Sequence, residues 1–300
     1  MRIMVTGANG FLGSALALAG IVRGHKISGL IRVGADKRRL QGSGVDIVEV
    51  DAEISEVTLH KALAQVRPDV VFHTAGSYGR RGETDAGLHA ANVAYGQKLM
   101  RALQSTGVQR SLFLNTGTAL KASVSPYAAS KREFSTWGAS QEEAGSGVAF
   151  IDIELQQFYG PGDDTTKLPA HIILSCICGE RTLNLTKGEQ LRDFIYIDDV
   201  VNGYFLLAEQ RATIQTPATF PLGTGTGITI KDFALRIKEL TGSSISMNFG
   251  AVPYRTNEPM RLIADCSAMN ALGWMPQVDL TSGLLRSIEG YRRAKAAGSY

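Results

Sequence analysis

The sequence predicts an α/β fold: a doubly wound parallel sheet with a smaller C-terminal lobe. Three observations predict it. A short apolar run, Ile3-Met4-Val5, leads directly into Gly7, Gly10 and Gly13 in the spacing G-x-x-G-x-x-G. Apolar runs of strand length then alternate with helix-compatible stretches, the pattern that winds a parallel sheet between two layers of helices. The alternation breaks after Gly162, where a different order of elements begins.

The first strand ends in a glycine turn with a physical purpose. Gly7 permits the tight turn, Gly10 lets the backbone approach a pyrophosphate, and Gly13 lets the next helix pack closely on the strand. The helix that follows offers unpaired N–H groups and a positive dipole end to phosphates. Phe11 and Leu12 lie inside this turn and are expected to touch the dinucleotide with the glycines. The same stretch is apolar enough to suggest a secretory leader, but Arg2 would be its only n-region charge.

HKISGLIR, His25 to Arg32, reads as the second strand. Sites selective for NAD place a carboxylate at this strand end, on the ribose 2′-hydroxyl. Here stand Arg32 and then Lys37, Arg38 and Arg39. Arg32 is expected to stack on adenine and pair with a 2′-phosphate, which points to NADP(H) over NAD. Lys37 to Arg39 either assist it or form a solvated basic face. The third strand, VDIVEVDAE, ends at Asp51, which either accepts from the adenine amino group or caps the strand.

VRPDVVFHTAG is the fourth strand, and Ala75 and Gly76 are small where a cofactor must pass close. A polar loop over residues 77–84 leads into the helix carrying Asn92. VQRSLFLNTGT, the fifth strand, ends in a polar cluster that includes Thr116 and Thr118. Ser125-Pro126 opens a helix, and GVAFIDIELQQFYGPGDD runs from a sixth strand into a glycine/proline turn. Residues 1–162 are therefore read as a dinucleotide-binding (Rossmann) domain. Residues 163–300 are read as a substrate-binding lobe interleaved with the last strands of the sheet.

Composition narrows the function. The chain has 300 residues, 44 % hydrophobic and 20 % charged, with a net charge of +3. So small a basic excess does not imply nucleic acid, and it suits a small anionic ligand. Cys176, Cys178 and Cys266 give an odd count in a long chain, so a disulfide framework is not expected and a reducing, cytoplasmic setting is. Cys176-x-Cys178 lies in the apolar stretch HIILSCICGE and reads as core, so no metal site is expected. No apolar run reaches the roughly 18 residues of a membrane span.

Tyr127 and Lys131 are four apart and share one helical face. A phenol is a poor acid or base at neutral pH, with a reference pKa of about 10. A neighbouring ammonium is expected to lower it. The tyrosine can then exchange a proton with a carbonyl or alcohol oxygen while hydride moves to or from a nicotinamide. A hydroxyl must orient that oxygen from the other side; Thr116 is the first choice and Thr118 the second.

With TGANGFLG at the start, Tyr127-AAS-Lys131, Phe158-Tyr159-Gly160-Pro161-Gly162, the run Arg192 to Val200 and Ala271 to Pro276, the chain resembles the extended short-chain dehydrogenases/reductases of the nucleotide-sugar epimerase/dehydratase superfamily. NTGTAL…SPYAASKREF, FYGPGDD and LTKGEQLRDFIYIDD most resemble the CDP-abequose synthase type of 4-ketoreductase. The resemblance implies that Thr116, Tyr127 and Lys131 form the catalytic triad, with Lys131 also touching the nicotinamide ribose. It implies that Arg192 and Arg261 converge on a substrate diphosphate, with Gln157 nearby, and that the enzyme forms a homodimer.

Three departures matter. Family dehydratases carry an Asp-Glu pair directly after the threonine, but Gly117-Thr118 stands here. Glu154 and Gln157 replace an Arg and an Asn ahead of the Tyr-Gly-Pro turn. The gap from Thr116 to Tyr127 is short. The expected activity is NADP(H)-dependent reduction of a nucleotide-linked 4-keto sugar, such as a 6-deoxyhexose. A 4-epimerase with tightly bound NAD and a non-catalytic dinucleotide sensor are the alternatives.

Overall fold

A computed structural model describes the whole chain except residues 51–54, 81, 109 and 299–300. Asp51 therefore lies outside the described residues. The chain forms two compact units, Met1–Glu154 with Val201–Phe220, and Leu155–Val200 with Pro221–Tyr300. The return to the first unit at Val201–Phe220 gives the interleaving a form that a single boundary at 163 does not capture.

In the first unit the elements alternate as the apolar runs require: β1 (Arg2–Thr6), α1 (Phe11–Val22), β2 (Lys26–Arg32), β3 (Asp46–Val50), α2 (Glu56–Val66), β4 (Val70–His73), α3 (Asp85–His89), α4 (Tyr95–Ser105), β5 (Leu112–Thr116), α5 (Pro126–Glu143) and β6 (Ala149–Leu155). Ile3, Met4, Val5, Val70, Val71 and Phe72 are fully buried, as central strands covered on both faces must be. A π-helical turn, Ala90–Ala94, joins α3 to α4. The start of α5 is set locally: the Ser125 hydroxyl accepts from the Ala128 N–H, and Pro126 fills the first helical position.

The second unit opens with β7 (Gln157–Tyr159), α6 (Leu168–Ile177), β8 (Thr182–Leu185), β9 (Leu191–Arg192) and β10 (Phe194–Tyr196). Then α7 (Ile197–Glu209) and β11 (Ala218–Leu222) carry the chain into the first unit. It finishes in the second with β12 (Ile228–Thr229), α8 (Ile230–Thr241), β13 (Ser246–Phe249), β14 (Arg261–Leu262), α9 (Ser267–Ala271) and α10 (Leu280–Ala296). Cys266 is the N-cap residue of α9, and Asp265 accepts from the Ser267 N–H.

The main sheet has the order β11-β6-β5-β4-β1-β2-β3. Every pair from β3 to β6 is parallel. The winding reverses between β1 and β4, the place where such sheets bind ligands beyond their carboxyl ends. Met4, Leu30, Val71, Phe113 and Phe150 from the sheet pack with Leu99, Leu103 and Phe134 from α4 and α5. In the second unit Phe194 stacks on Phe233 with ring centroids 3.7 Å apart, and Tyr159 meets both edge-on. A Cβ on Gly283 would lie 2.3 Å from the Tyr159 hydroxyl, so only glycine lets α10 close on this cluster.

Candidate active site

The loops after β1 and β4 meet at the switch point. Gly7 has φ +64°, and a Cβ there would lie 2.9 Å from the Ala75 Cα. A Cβ on Gly13 would lie 2.2 Å from the Gly7 carbonyl oxygen. Gly10 caps α1 with no side-chain hydrogen bond, and no acidic residue stands in the first turn. The N–H groups of Phe11, Leu12 and Gly13 therefore point out of the helix start without intrahelical acceptors. Thr6 braces the junction: its hydroxyl accepts from the Ala75 N–H, and its carbonyl accepts from the Thr74 hydroxyl. These residues fit a dinucleotide pyrophosphate by shape and dipole.

The basic residues beyond β2 separate. Arg32 is exposed at the strand end and has no ion pair among the described residues. Lys37 pairs with Glu49 at 2.7 Å and Arg38 with Asp36 at 2.8 Å, both at the surface, so these two form the solvated face. Arg39 instead places its guanidinium 6.0 Å from the Phe11 ring centroid, over the glycine turn.

Thr116, Tyr127 and Lys131 lie at the end of β5 and in the first turns of α5. The Thr116 hydroxyl is 2.6 Å from the Tyr204 hydroxyl. Thr118 is buried and accepts from the Leu120 N–H, so it belongs to a turn. Lys131 is only 3 % exposed. Burial lowers its pKa to about 8, and the Asp152 carboxylate acts the other way. Asp152 accepts from Asn115 Nδ2 at 2.6 Å. Lys131 also presses on His73, which burial holds neutral with a pKa of about 3.

The expected lowering of the Tyr127 pKa is not what the structure gives. Burial pushes it well above the ordinary value, the Tyr78 phenol adds to the rise, and the cation that opposes it is Arg80. Desolvation of the phenolate outweighs the attraction of nearby charge. The phenol form of Tyr127 is thus favoured over the phenolate.

Two departures acquire reasons. A Cβ on Gly117 would lie 2.5 Å from Asp152 Oδ1, so the position after Thr116 cannot carry an acidic side chain beside Asp152. Glu154 forms an ion pair with Arg132, whose Nε donates to the Leu120 carbonyl at 3.0 Å. Glu154 therefore ties β6 to α5.

In the second unit Arg192 is 3 % exposed; its guanidinium pairs with Glu258 and donates to the Leu191 carbonyl. Asp193, fully buried, accepts from the N–H groups of Thr224, Gly225 and Ala264 and from the Thr224 hydroxyl. It fixes the strands around Arg192. Arg192 and Arg261 stand on neighbouring strands at alternate register positions. In the β9–β14 pair Arg192 faces Leu262 and Arg261 faces Leu191. Alternate residues point to opposite faces, so the two arginines leave this small sheet on opposite sides. Gln157 is partly buried on β7, opposite Phe194. Among the described residues no His, Cys, Asp or Glu cluster could hold a metal. No described helix is long and apolar enough to cross a membrane.

A family model described as the NAD dependent epimerase/dehydratase family matches residues 3–223. The chain belongs to this family. Among relatives of this epimerase/dehydratase is the CDP-abequose synthase of Salmonella typhimurium, 28 % identical over 94 % of the chain and 95 % of that protein. The UDP-glucose 4-epimerase of Mycolicibacterium smegmatis is 26 % identical over 97 % of the chain and 99 % of that protein. In fold, the chain is similar to the UDP-glucose 4-epimerase of Thermus thermophilus in complex with NAD. The TM-score is 0.85 at 23 % identity, over 98 % of the chain and all of that one. Membership of this family makes the chain an NAD(P)-dependent enzyme.

Sequence reasoning missed Tyr204 and placed Asn92 on its helix without giving it a role. Tyr204 sits in the apolar run of α7 and reads as core. Asn92 is fully buried in the π-helical turn, accepts from the Ser77 N–H and donates to the Ser77 carbonyl and the Ser130 hydroxyl. π-Helical turns favour functional sites.

Proposed function

We propose that the protein reduces the 4-keto group of a nucleotide-linked hexose, a 6-deoxy or dideoxy sugar, with NADP(H) as cofactor. The observation that carries the reading is the placement of Tyr127 and Lys131 in the first turns of α5 with Thr116 at the end of β5, beside the switch point of the sheet. When bound, the nicotinamide cofactor supplies the hydride to the ketone carbon. Tyr127 gives its proton to the ketone oxygen, so the product is the alcohol. Thr116 holds that oxygen, Lys131 reaches the nicotinamide ribose, and the Arg80 cation favours the phenolate left behind. Arg192 exchanges Glu258 for the substrate diphosphate, which a guanidinium can bind through two parallel hydrogen bonds.

Gly117 supports reduction over dehydration, because the acid and base for losing water have no room there. The 28 % identity to a CDP-abequose synthase over nearly the full length of both supports the same class. The test supplies a nucleotide-linked 4-keto-6-deoxy sugar with NADPH and follows reduced-nicotinamide absorbance. Consumption matched by alcohol product supports the reading.

A second reading, 4-epimerisation, is favoured by the similarity to the mycobacterial UDP-glucose 4-epimerase. It uses the same Thr116, Tyr127 and Lys131. Interconversion of two sugar alcohols without added cofactor, with NAD retained through purification, would establish it instead.

A further inference from the structure

Tyr127 is partly exposed, and a second aromatic ring covers one side of it. The ring of Tyr78, from the loop after β4, lies 5.0 Å from the Tyr127 ring centroid at an interplanar angle of 32°. The Arg80 guanidinium lies 5.5 Å from the Tyr78 ring centroid. Arginine, tyrosine and tyrosine form a layered group whose innermost member is the proton donor.

A chance contact on a polar loop would not be anchored. This one is. Asn92 accepts from the Ser77 N–H at 2.8 Å and donates to the Ser77 carbonyl at 2.9 Å, gripping the residue before Tyr78 on both backbone groups. The same amide donates to the Ser130 hydroxyl at 3.0 Å, and Ser130 donates to the Tyr127 carbonyl at 2.9 Å. One buried side chain thus sets the loop bearing Tyr78 and the helical turn bearing Tyr127 in register. Ser77 further donates to Glu83 at 2.5 Å, closing the loop on itself. The cost of burying Asn92 is met by these three bonds.

We propose that Tyr78, backed by Arg80, is a positioning and specificity-determining residue: an aromatic wall beside the proton donor that aligns the sugar ketone with Tyr127. Tyr78 is 39 % exposed, so its outer edge is open to a ligand while its inner face packs on Tyr127. An aromatic edge suits the carbon-bearing, deoxygenated side of a hexose better than a hydroxyl-rich side, which would lose hydration against it. Arg80 holds the ring from behind and keeps a positive charge near the oxygen that Tyr127 leaves negative.

The inference rests on the proposed use of Tyr127 as donor, and holds for net reduction and for epimerisation alike. The experiment therefore measures wild type, Tyr78→Phe, Tyr78→Ala and Arg80→Met in whichever of the two assays the wild type shows, with thermal melting and cofactor titration alongside. Tyr78→Ala should lose about 10-fold or more in kcat, because a small misplacement of the reacting groups is costly. Cofactor affinity and melting temperature should stay near wild type. Tyr78→Phe should retain most activity, since the ring is the wall, and Arg80→Met should fall between. Tyr78→Ala should also narrow the preference for deoxygenated over hydroxylated sugars. Wild-type kcat in Tyr78→Ala, or a loss in Tyr78→Phe as large as in Tyr78→Ala, would overturn the inference and leave the reductase reading standing. Epimerase activity with a Tyr78→Ala defect would overturn the reductase reading and leave this inference standing.

Discussion

The hydroxyls of Thr116 and Tyr204 are 2.6 Å apart, which joins the expected substrate-orienting group to a buried tyrosine that the sequence pattern assigns to the core. Each hydroxyl has one proton to give, so this bond decides which way the Thr116 proton points. If Tyr204 donates, Thr116 keeps its own proton for a substrate oxygen.

Tyr204→Phe should separate the two roles. The ring remains in its edge contact with Phe72, 5.6 Å between centroids, so the fold should survive at a cost of about 1 kcal/mol for one lost hydrogen bond. Turnover should fall, with the Michaelis constant for the sugar less affected. Urea unfolding and steady-state kinetics on one preparation check both; unchanged kcat would show that Thr116 needs no help in orientation.

Tyr127→Phe removes only the hydroxyl. Turnover should drop by about 100-fold or more, the scale of general-acid catalysis, with cofactor binding retained. A variant keeping most of its activity would reject Tyr127 as the donor.

Two buried bases give the protein a definite pH response. The folded pKa of His73 is about 3, far below its reference of 6.5, so between those values the unfolded chain binds more protons than the folded one. Stability therefore rises with pH across that window, is fully present above 6.5 and is lost as pH falls toward 3. Lys131, at about 8 against 10.5, adds a second rise of the same sign between those values. In catalysis the ammonium is required, so activity should fall above pH 8. Asp152 raises the Lys131 pKa, and Asp152→Asn should move that alkaline limb to lower pH. A pH–rate profile whose alkaline limb stays in place would remove Asp152 from this role.

Arg32→Asp should weaken NADPH binding and spare NADH, as expected for the residue at the end of β2. Equal affinity of the wild type for both cofactors would sink the NADP(H) assignment. At the other end of the substrate, Arg192→Ala should raise the Michaelis constant for the nucleotide sugar, whereas Arg261→Ala should leave it nearly unchanged. Equal effects would mean that the opposite faces of the β9–β14 pair do not separate the two arginines in function.

The parallel sheet was legible because buried strands must be continuous apolar runs, and Ile3-Met4-Val5 and Val70-Val71-Phe72 allow no other reading. The glycine turn was legible because no other residue fits at Gly7 or Gly13. The Tyr127 pKa was misjudged because spacing along a helix reports neighbours on that helix, while the groups acting on the phenol, Tyr78 and Arg80, come from a distant loop. The motifs pair Arg192 with Arg261, and the strand register that sets them at alternate positions is carried by no local pattern. Tyr204 was hidden for a related reason. A tyrosine in an apolar helix shows its ring in the sequence, and the partner of its hydroxyl is known only once β5 and α7 are folded.

The packing of Gly117 against Asp152 bears on how readily this chain could acquire a new reaction. Adding an acidic group after Thr116 must first displace the Asp152 carboxylate, yet Asp152 is the charge that keeps the Lys131 proton in place. Either change alone passes through a crowded or a weakened enzyme. A descendant that eliminates water with the Asp-Glu pair would have to alter Gly117, Thr118 and Asp152 together, so neighbouring chemistries in sequence space are separated here by a valley three substitutions wide.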